Sequence, residues 1–269
     1  MTRRKPTIAD LRAAKGRGQF TMLRIMTLDE AAAAEEAGID IVSLPPELVT
    51  HPRYREVAPS LFSMTGKTHL QVGTRDDYHR FCCQVMEAGA DAVYCSGGLD
   101  TVEAMAREHI PIVGHVGLVP SRATWTGGMK AVGKTAASAL ALLNEVRAYE
   151  QAGAFAAEIE VVPVEVAAEI SRRVGLLLWS MGAGAGCDAQ YLFAEDILGS
   201  NRGHMPRHSK VYRNFAAEYD RLQAERVAAF REFAADVASL AYPEDKHIVK
   251  MPPDELRGFL SALDQPKAG

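Results

Sequence analysis

A carboxylate, an imidazole, a guanidinium and a phenol stand at comparable places in this sequence: Glu160, His115, Arg24 and Tyr94 each lie near the end of a short apolar run. Glu160 and His115 are a pair able to transfer protons. Arg24 can hold a carboxylate through two parallel hydrogen bonds. Two more polar residues follow apolar runs: Glu47 closes Ser43-Leu44-Pro45-Pro46-Glu47, and Ser96 precedes Gly97-Gly98. The other glycine cluster, Gly182-Ala183-Gly184-Ala185-Gly186 after Ser180, can offer amide N–H groups to an anion, although it lacks the Lys-Ser/Thr ending of a phosphate loop. Structural roles compete with these. His115, inside Ile112-Val113-Gly114-His115-Val116, also suits a satisfied core histidine, and Arg24 also suits an internal ion pair with Glu47. Alternation along Ala156–Pro163 puts Glu158 and Glu160 on one face, where an unpaired buried carboxylate is costly; a salt bridge or a proton to move would justify it.

The elements that must position these groups come from a repeated phrase. Glu36-Ala37-Gly38-Ile39-Asp40-Ile41-Val42, Glu87-Ala88-Gly89-Ala90-Asp91-Ala92-Val93 and Gln151-Ala152-Gly153-Ala154-Phe155-Ala156-Ala157 each read as a helix end, a glycine stop and the start of a buried parallel strand. Further strands are predicted at Phe20–Ile25, Thr68–Gly73, Pro111–His115 and Gly175–Met181, with an eighth at Gln190–Ala194. Helical stretches separate them at Leu28–Ala37, Thr101–His109, Thr135–Gln151 and Glu165–Arg173. This many βα units favour a closed (βα)8 TIM barrel, in which the strand ends and the loops after them form the site. One domain is expected over 1–269, with 205–269 as a C-terminal helical extension. Within it, Val211–Leu240 carries Phe215, Tyr219, Leu222, Val227, Phe230, Phe233 and Val237 at helical spacing. That reads as a pair of amphipathic helices covering the chain's own barrel or a second subunit.

Composition narrows the partners. The chain has 269 residues, Lys/Arg (30) and Asp/Glu (34) mixed throughout, and a formal net charge of -4, so it offers no basic field for nucleic acid or an anionic membrane. No apolar stretch approaches the ~20 residues of a membrane span, and Met1-Thr2-Arg3-Arg4-Lys5-Pro6 does not open a signal peptide. The expected partner is a small molecule and the expected compartment the cytoplasm. Cys82, Cys83, Cys95 and Cys187 lack the spacing of a zinc site or a disulfide scaffold and read as reduced, small hydrophobes.

Beyond these patterns, Gly114-His115-Val116-Gly117-Leu118-Val119-Pro120-Ser121, followed by Gly127-Gly128-Met129-Lys130-Ala131-Val132-Gly133-Lys134, resembles the strand-five signature of the ketopantoate hydroxymethyltransferase family. Glu158-Ile159-Glu160-Val161-Val162-Pro163-Val164-Glu165, Met181-Gly182-Ala183-Gly184-Ala185-Gly186-Cys187-Asp188-Ala189-Gln190 and Glu195-Asp196-Ile197-Leu198-Gly199 are similar in the same way. So is the start, Ile8-Ala9-Asp10-Leu11-Arg12-Ala13-Ala14-Lys15-Gly16. The resemblance reaches to about Pro243. It implies a barrel of the phosphoenolpyruvate mutase and isocitrate lyase superfamily, assembled as a homo-oligomer. It also implies a Mg2+ that stabilises the enolate of a 2-oxo acid, and methylenetetrahydrofolate as the one-carbon co-substrate. On it, Glu160 matches the general base and His115 the strand-five site histidine.

The metal side departs from the family. Where the family has Val-Gly-Asp-Ser after strand two, with Asp as ligand, this chain has Leu44-Pro45-Pro46-Glu47. The second metal Asp falls where the chain is shortened, against Gly66, Thr74 or nothing, with Asp76 and Asp77 nearby. The Lys and Glu of Val-Lys-x-Glu-Gly-Gly are Tyr94 and Ser96, and the strand-one Thr-Ala-Tyr-Asp is Arg24-Ile25-Met26-Thr27. The expectation is therefore a diverged member with no matched metal ligands, in which Arg24, Tyr94, Ser96 and Glu47 bind a small carboxylate beside Glu160 and His115. Three functions follow: hydroxymethyl transfer or related aldol-type chemistry on a 2-oxo acid; a superfamily lyase or hydrolase acting on another carboxylate; or a barrel that only binds. A mere binder does not need a buried proton-transfer pair.

Overall fold

A computed structural model describes residues 3–263. The chain divides between Asn214 and Phe215 into two compact units. The first is a closed barrel of eight parallel strands in sequence order: β1 Phe20–Arg24, β2 Ile41–Leu44, β3 Phe62–Lys67, β4 Ala92–Cys95, β5 Ile112–Gly117, β6 Ala156–Glu160, β7 Leu177–Met181 and β8 Ala189–Phe193. Its closure is the β1–β8 pairing, Phe20 beside Ala189 through Arg24 beside Phe193. Among the described residues no helix is long and apolar enough to cross a membrane.

The repeated phrase does what its chemistry requires. The helices Leu28–Glu36, Arg75–Glu87 and Ala136–Gln151 each end two residues before a glycine of positive φ, namely Gly38, Gly89 and Gly153, with one alanine between, and a strand follows. Period-2 alternation then sorts each strand. Ile112, Val116, Ala157 and Ile159 face outward and join the core under the helices. Met22, Ile41, Met64, Ala92, Val113, Ala156, Leu177, Trp179 and Tyr191 point inward, with Leu11 of the helix Ile8–Ala13 among them. Phe62, Phe155 and Trp179 fill the interior with edge-to-face rings, at centroid distances of 6.1 and 5.8 Å. The barrel is a packed core, and its polar inward positions lie at the C-terminal strand ends.

Two predicted elements differ. The third strand is Phe62–Lys67, not Thr68–Gly73. Thr68 instead caps the one-turn helix His69–Val72 in a reciprocal capping box with Gln71, and Leu70 is 76% exposed. The expected helix pair over Val211–Leu240 is one continuous helix, Phe215–Ala238, whose run has no Gly or Pro to break it. It belongs to the second unit, with a further helix at Pro253–Leu263, whereas residues 205–214 lie in the first.

Between β7 and β8 the chain has no helix. The glycine run crosses this gap against the helix Val164–Ser171: a Cβ added at Gly186 would meet the Ala168 Cβ at 2.3 Å, and one at Gly184 the Val164 Cβ at 2.8 Å. These glycines serve close packing, so the expected anion-binding role is not needed to account for them.

Candidate active site

Alternation on β4, β5 and β6 turns Tyr94, His115, Glu158 and Glu160 into the barrel, where they line a cavity of about 600 Å³. The strand register sets His115 beside Glu158 and Gly117 beside Glu160. A continuous hydrogen-bond chain results: the Tyr94 hydroxyl lies 3.0 Å from His115 Nδ1, and His115 Nε2 lies 3.0 Å from Glu160 Oε2. With Nε2–H donating to Glu160, Nδ1 accepts from the tyrosine, so the two contacts together select that tautomer of a neutral His115. Burial disfavours the imidazolium, but the hydrogen bond to Glu160 and the charges of Glu158 and Glu160 outweigh it and raise the His115 pKa. Burial foremost, and then the nearby Glu158 charge, hold the Tyr94 phenol protonated.

Glu158 sits one inward position below Glu160 and is 5% exposed. Its Oε2 is 3.6 Å from His115 Nδ1, beyond a hydrogen bond. Burial lifts its pKa from the ordinary 4.5 to about 7; Glu160 adds to the rise, while His115 and Arg24 oppose it. Val161, next to Glu160, has φ of 47°, a strained value for a β-branched residue. Its N–H donates to Met181 O and its carbonyl accepts from Val132 N–H, which fixes the turn ending β6.

The sequence-predicted residues separate into two groups. Glu160, His115 and Tyr94 come together. Arg24 is half-buried at the end of β1; it donates to Ser43 Oγ at 2.9 Å, and its positive charge bears on Glu158 and Tyr191. Glu47 is not brought in: Pro45 and Pro46 start a helical turn at the end of β2, and Glu47 stands exposed on it without an ion pair to Arg24. Ser96 is not on this cavity either. It accepts from the His69 backbone N–H at 2.9 Å and, with Gly97 and Gly98, lines a neighbouring cavity of about 400 Å³ that shares Ser121 with the first.

Sequence reasoning missed one wall. The segment after β8 brings His204, Arg207 and His208 to the cavity. Its anchor is Asp196, a buried carboxylate that accepts from Asn201 Nδ2 at 2.7 Å and Ser209 Oγ at 2.6 Å, one on each side of the tip. His208 rests on Gly182, where an added Cβ would lie 2.7 Å from its Nδ1. The Gly182 position was legible as a close approach, but nothing in a polar loop announces which strand end it covers. Tyr191, also on the cavity, was legible by alternation in the eighth strand.

No cluster of three or more His, Cys, Asp or Glu side chains suited to a metal ion occurs among the described residues. Asp77 accepts from Thr74 at the start of the helix Arg75–Glu87 and pairs with Arg80, and Asp76 is exposed beside it. Carboxylates thus face the cavity from β6 and from the segment after β8, and none does so from the ends of β2 and β3.

The chain is similar to the 3-methyl-2-oxobutanoate hydroxymethyltransferase of Oleidesulfovibrio alaskensis, with 31% identity over 93% of this chain and 93% of that one. It is 37% identical to the enzyme of the same name from Cenarchaeum symbiosum over 65% of this chain and 66% of that one. Among solved structures, phosphonopyruvate hydrolase in complex with oxalate and Mg++ covers 96% of this chain and 97% of its own at 16% identity and a TM-score of 0.50, a likeness of fold alone. A sequence model described as Ketopantoate hydroxymethyltransferase matches residues 69–245, which is more than half of the chain and includes His115 and Glu160. By that match and the full-length likeness to its relatives, the chain belongs to the ketopantoate hydroxymethyltransferase family.

Proposed function

We propose that this protein is an enzyme of C–C bond chemistry that forms the enolate of a small 2-oxo acid and adds it to a one-carbon electrophile, the hydroxymethyl transfer for which its relatives are named. The hydrogen-bonded Tyr94–His115–Glu160 chain at the open end of the barrel carries this reading. Glu160 takes the proton from C3 of the 2-oxo acid, and His115 Nε2–H holds the carboxylate in place by a hydrogen bond. Tyr94 fixes the His115 tautomer from the other side. Methylenetetrahydrofolate, the co-substrate implied by the family, is the source of the electrophilic carbon.

The residues of this chain do not fit the family's Mg2+. That ion requires several oxygens in near-octahedral array, and here the end of β2 offers Pro45 and Pro46, while Asp77 is committed to a helix cap. Arg24 adds a permanent positive charge beside Glu158, which repels a divalent cation and gives it no ligand oxygen. We assign Arg24 the carboxylate of the substrate, gripped by two parallel N–H donors.

The experiment supplies the full chain with 3-methyl-2-oxobutanoate and methylenetetrahydrofolate, with and without a chelator, and follows the hydroxymethylated acid by mass spectrometry. Product in the presence of chelator is expected. No product under either condition would remove the transfer reading, and product only with added Mg2+ would show that the clamp assigned to Arg24 is wrong.

A further inference from the structure

Glu158 is the buried acidic group that this mechanism leaves without work. It lines the cavity, is 5% exposed, and receives no hydrogen bond from the described residues. The basic side chains near it make their hydrogen bonds elsewhere: His115 Nδ1, 3.6 Å away, accepts from the Tyr94 hydroxyl, and Arg24 Nη1–H donates to Ser43 Oγ. Glu160, two residues along the same strand, accepts from His115 Nε2 instead. An ionised carboxylate buried without a donor is costly, whereas a protonated one has an O–H that must find an acceptor. None of the described residues supplies that acceptor, and the carboxyl opens onto the cavity.

We propose that Glu158 is the acid of the site, a neutral carboxylic acid that donates a hydrogen bond to the C2 oxygen of the bound 2-oxo acid while Glu160 removes the C3 proton. This rests on the 2-oxo acid reading above. The C3–H bond breaks, its proton passes to Glu160, and its electron pair forms C2=C3. The carbonyl π pair moves onto the C2 oxygen, where the Glu158 O–H meets the developing charge. Water releases the one-carbon unit from methylenetetrahydrofolate as formaldehyde; when C3 bonds to its carbon, the formaldehyde π pair passes to its oxygen, which takes the proton from Glu160, C2=O re-forms and the Glu158 proton remains on Glu158. Two carboxylates on one strand thereby hold opposite roles because their surroundings differ. With Arg24 on the substrate carboxylate, Glu158 supplies at the C2 oxygen the stabilisation a metal gives elsewhere.

The groups facing Glu158 are His115 from β5, Arg24 from β1, Tyr94 from β4, Tyr191 from β8 and Glu160 from its own strand. Their balance, with burial dominant, leaves its pKa at about 7, so the neutral acid is depleted as pH rises above that value.

The test measures deuterium exchange at C3 of 3-methyl-2-oxobutanoate, by proton NMR in D2O from pH 6 to 9, with the wild-type full chain, Glu158→Gln and Glu158→Val. Alongside it, infrared difference spectra between wild type and Glu158→Gln seek the carbonyl stretch of a protonated buried carboxyl, with no substrate present. Wild-type exchange is expected to fall by about tenfold per pH unit above about pH 7. Glu158→Val should lose about 100-fold at pH 6, as for one lost donor to an oxyanion, and Glu158→Gln, which still offers an N–H, should lose less and show no alkaline fall. The infrared band should be present in the wild type at pH 6 and gone at pH 9. Wild-type rates and pH dependence in Glu158→Val, or an alkaline fall unchanged in Glu158→Gln, would overturn the assignment, as would a missing band at pH 6. A band at pH 6 without any wild-type exchange would remove the 2-oxo acid reading and leave Glu158 as a neutral acid.

Discussion

Replacing Glu158 by Gln should change how the stability of the protein responds to pH, by an amount that follows from its burial. In the unfolded chain this carboxyl titrates near 4.5 and in the barrel near 7, so across that interval the folded state holds a proton that the unfolded state has released. A raised folded pKa means that the stability contribution is fully present below 4.5 and lost as pH rises through about 7. At 1.4 kcal/mol per pH unit the whole interval is worth about 3 kcal/mol, most of it between pH 5 and 8. For a unit of this size 1 kcal/mol moves Tm by about 2–4 °C, so the gap between variant and wild type should move by about 5–10 °C in favour of Glu158→Gln from pH 5 to pH 8. His115, whose pKa is also raised, drives wild type and variant in the same direction. Differential scanning calorimetry of both proteins across this range provides the measurement. A gap that stays constant, or one that moves toward the wild type, would show that His115 and Arg24 keep Glu158 ionised, and the burial argument would fail.

Arg24→Met should weaken binding of 3-methyl-2-oxobutanoate by about 10- to 100-fold, the worth of charge-assisted hydrogen bonds to a carboxylate, while Tm changes little, because among the described residues the guanidinium pairs with no carboxylate and donates to Ser43 alone. Calorimetric titration and a thermal melt read the two effects, and a large loss of Tm with affinity unchanged would make Arg24 structural. Asp196→Ala should remove both anchors of the segment bearing His204 and His208 and destabilise it by about 1–3 kcal/mol. Faster proteolytic cleavage between Gly199 and Tyr212 is the expected sign, and a wild-type cleavage pattern would contradict it. The apolar side chains along Phe215–Ala238, with Phe230 72% exposed, should be covered in a homo-oligomer. Sedimentation of the full chain should give a species larger than 29.2 kDa, and a clean monomer would refute this.

Much of the barrel was legible because its signals are local. A glycine stop followed by a short apolar run carries its own meaning at Gly38, Gly89 and Gly153, whatever the rest of the chain does. The third strand was misplaced because Phe62–Lys67 alternates apolar residues with Ser63, Thr65 and Lys67, while Thr68–Gly73 shows a similar alternation that a capping box turns into a helix. Glu160, His115 and Tyr94 were found by strand-end position and alternation, which act within one element. Glu47 was misjudged because two prolines redirect the chain immediately after β2. Glu158 was seen on the right face, but its lack of a donor is a property of β1, β4 and β5 together and cannot be read from β6. The wall carrying His208 depends on a buried Asp196 gripping both sides of a loop, a contact with no periodic trace in sequence.

The central claim is that Glu160 takes a proton from the carbon beside a carbonyl, and its most direct measurement is C3 deuterium exchange of 3-methyl-2-oxobutanoate in D2O by wild type and Glu160→Gln, with no co-substrate present. The amide preserves the shape and the contact with His115 but accepts no proton, so exchange should fall by about 100- to 10,000-fold while Tm holds. Exchange at the wild-type rate in Glu160→Gln would contradict the account.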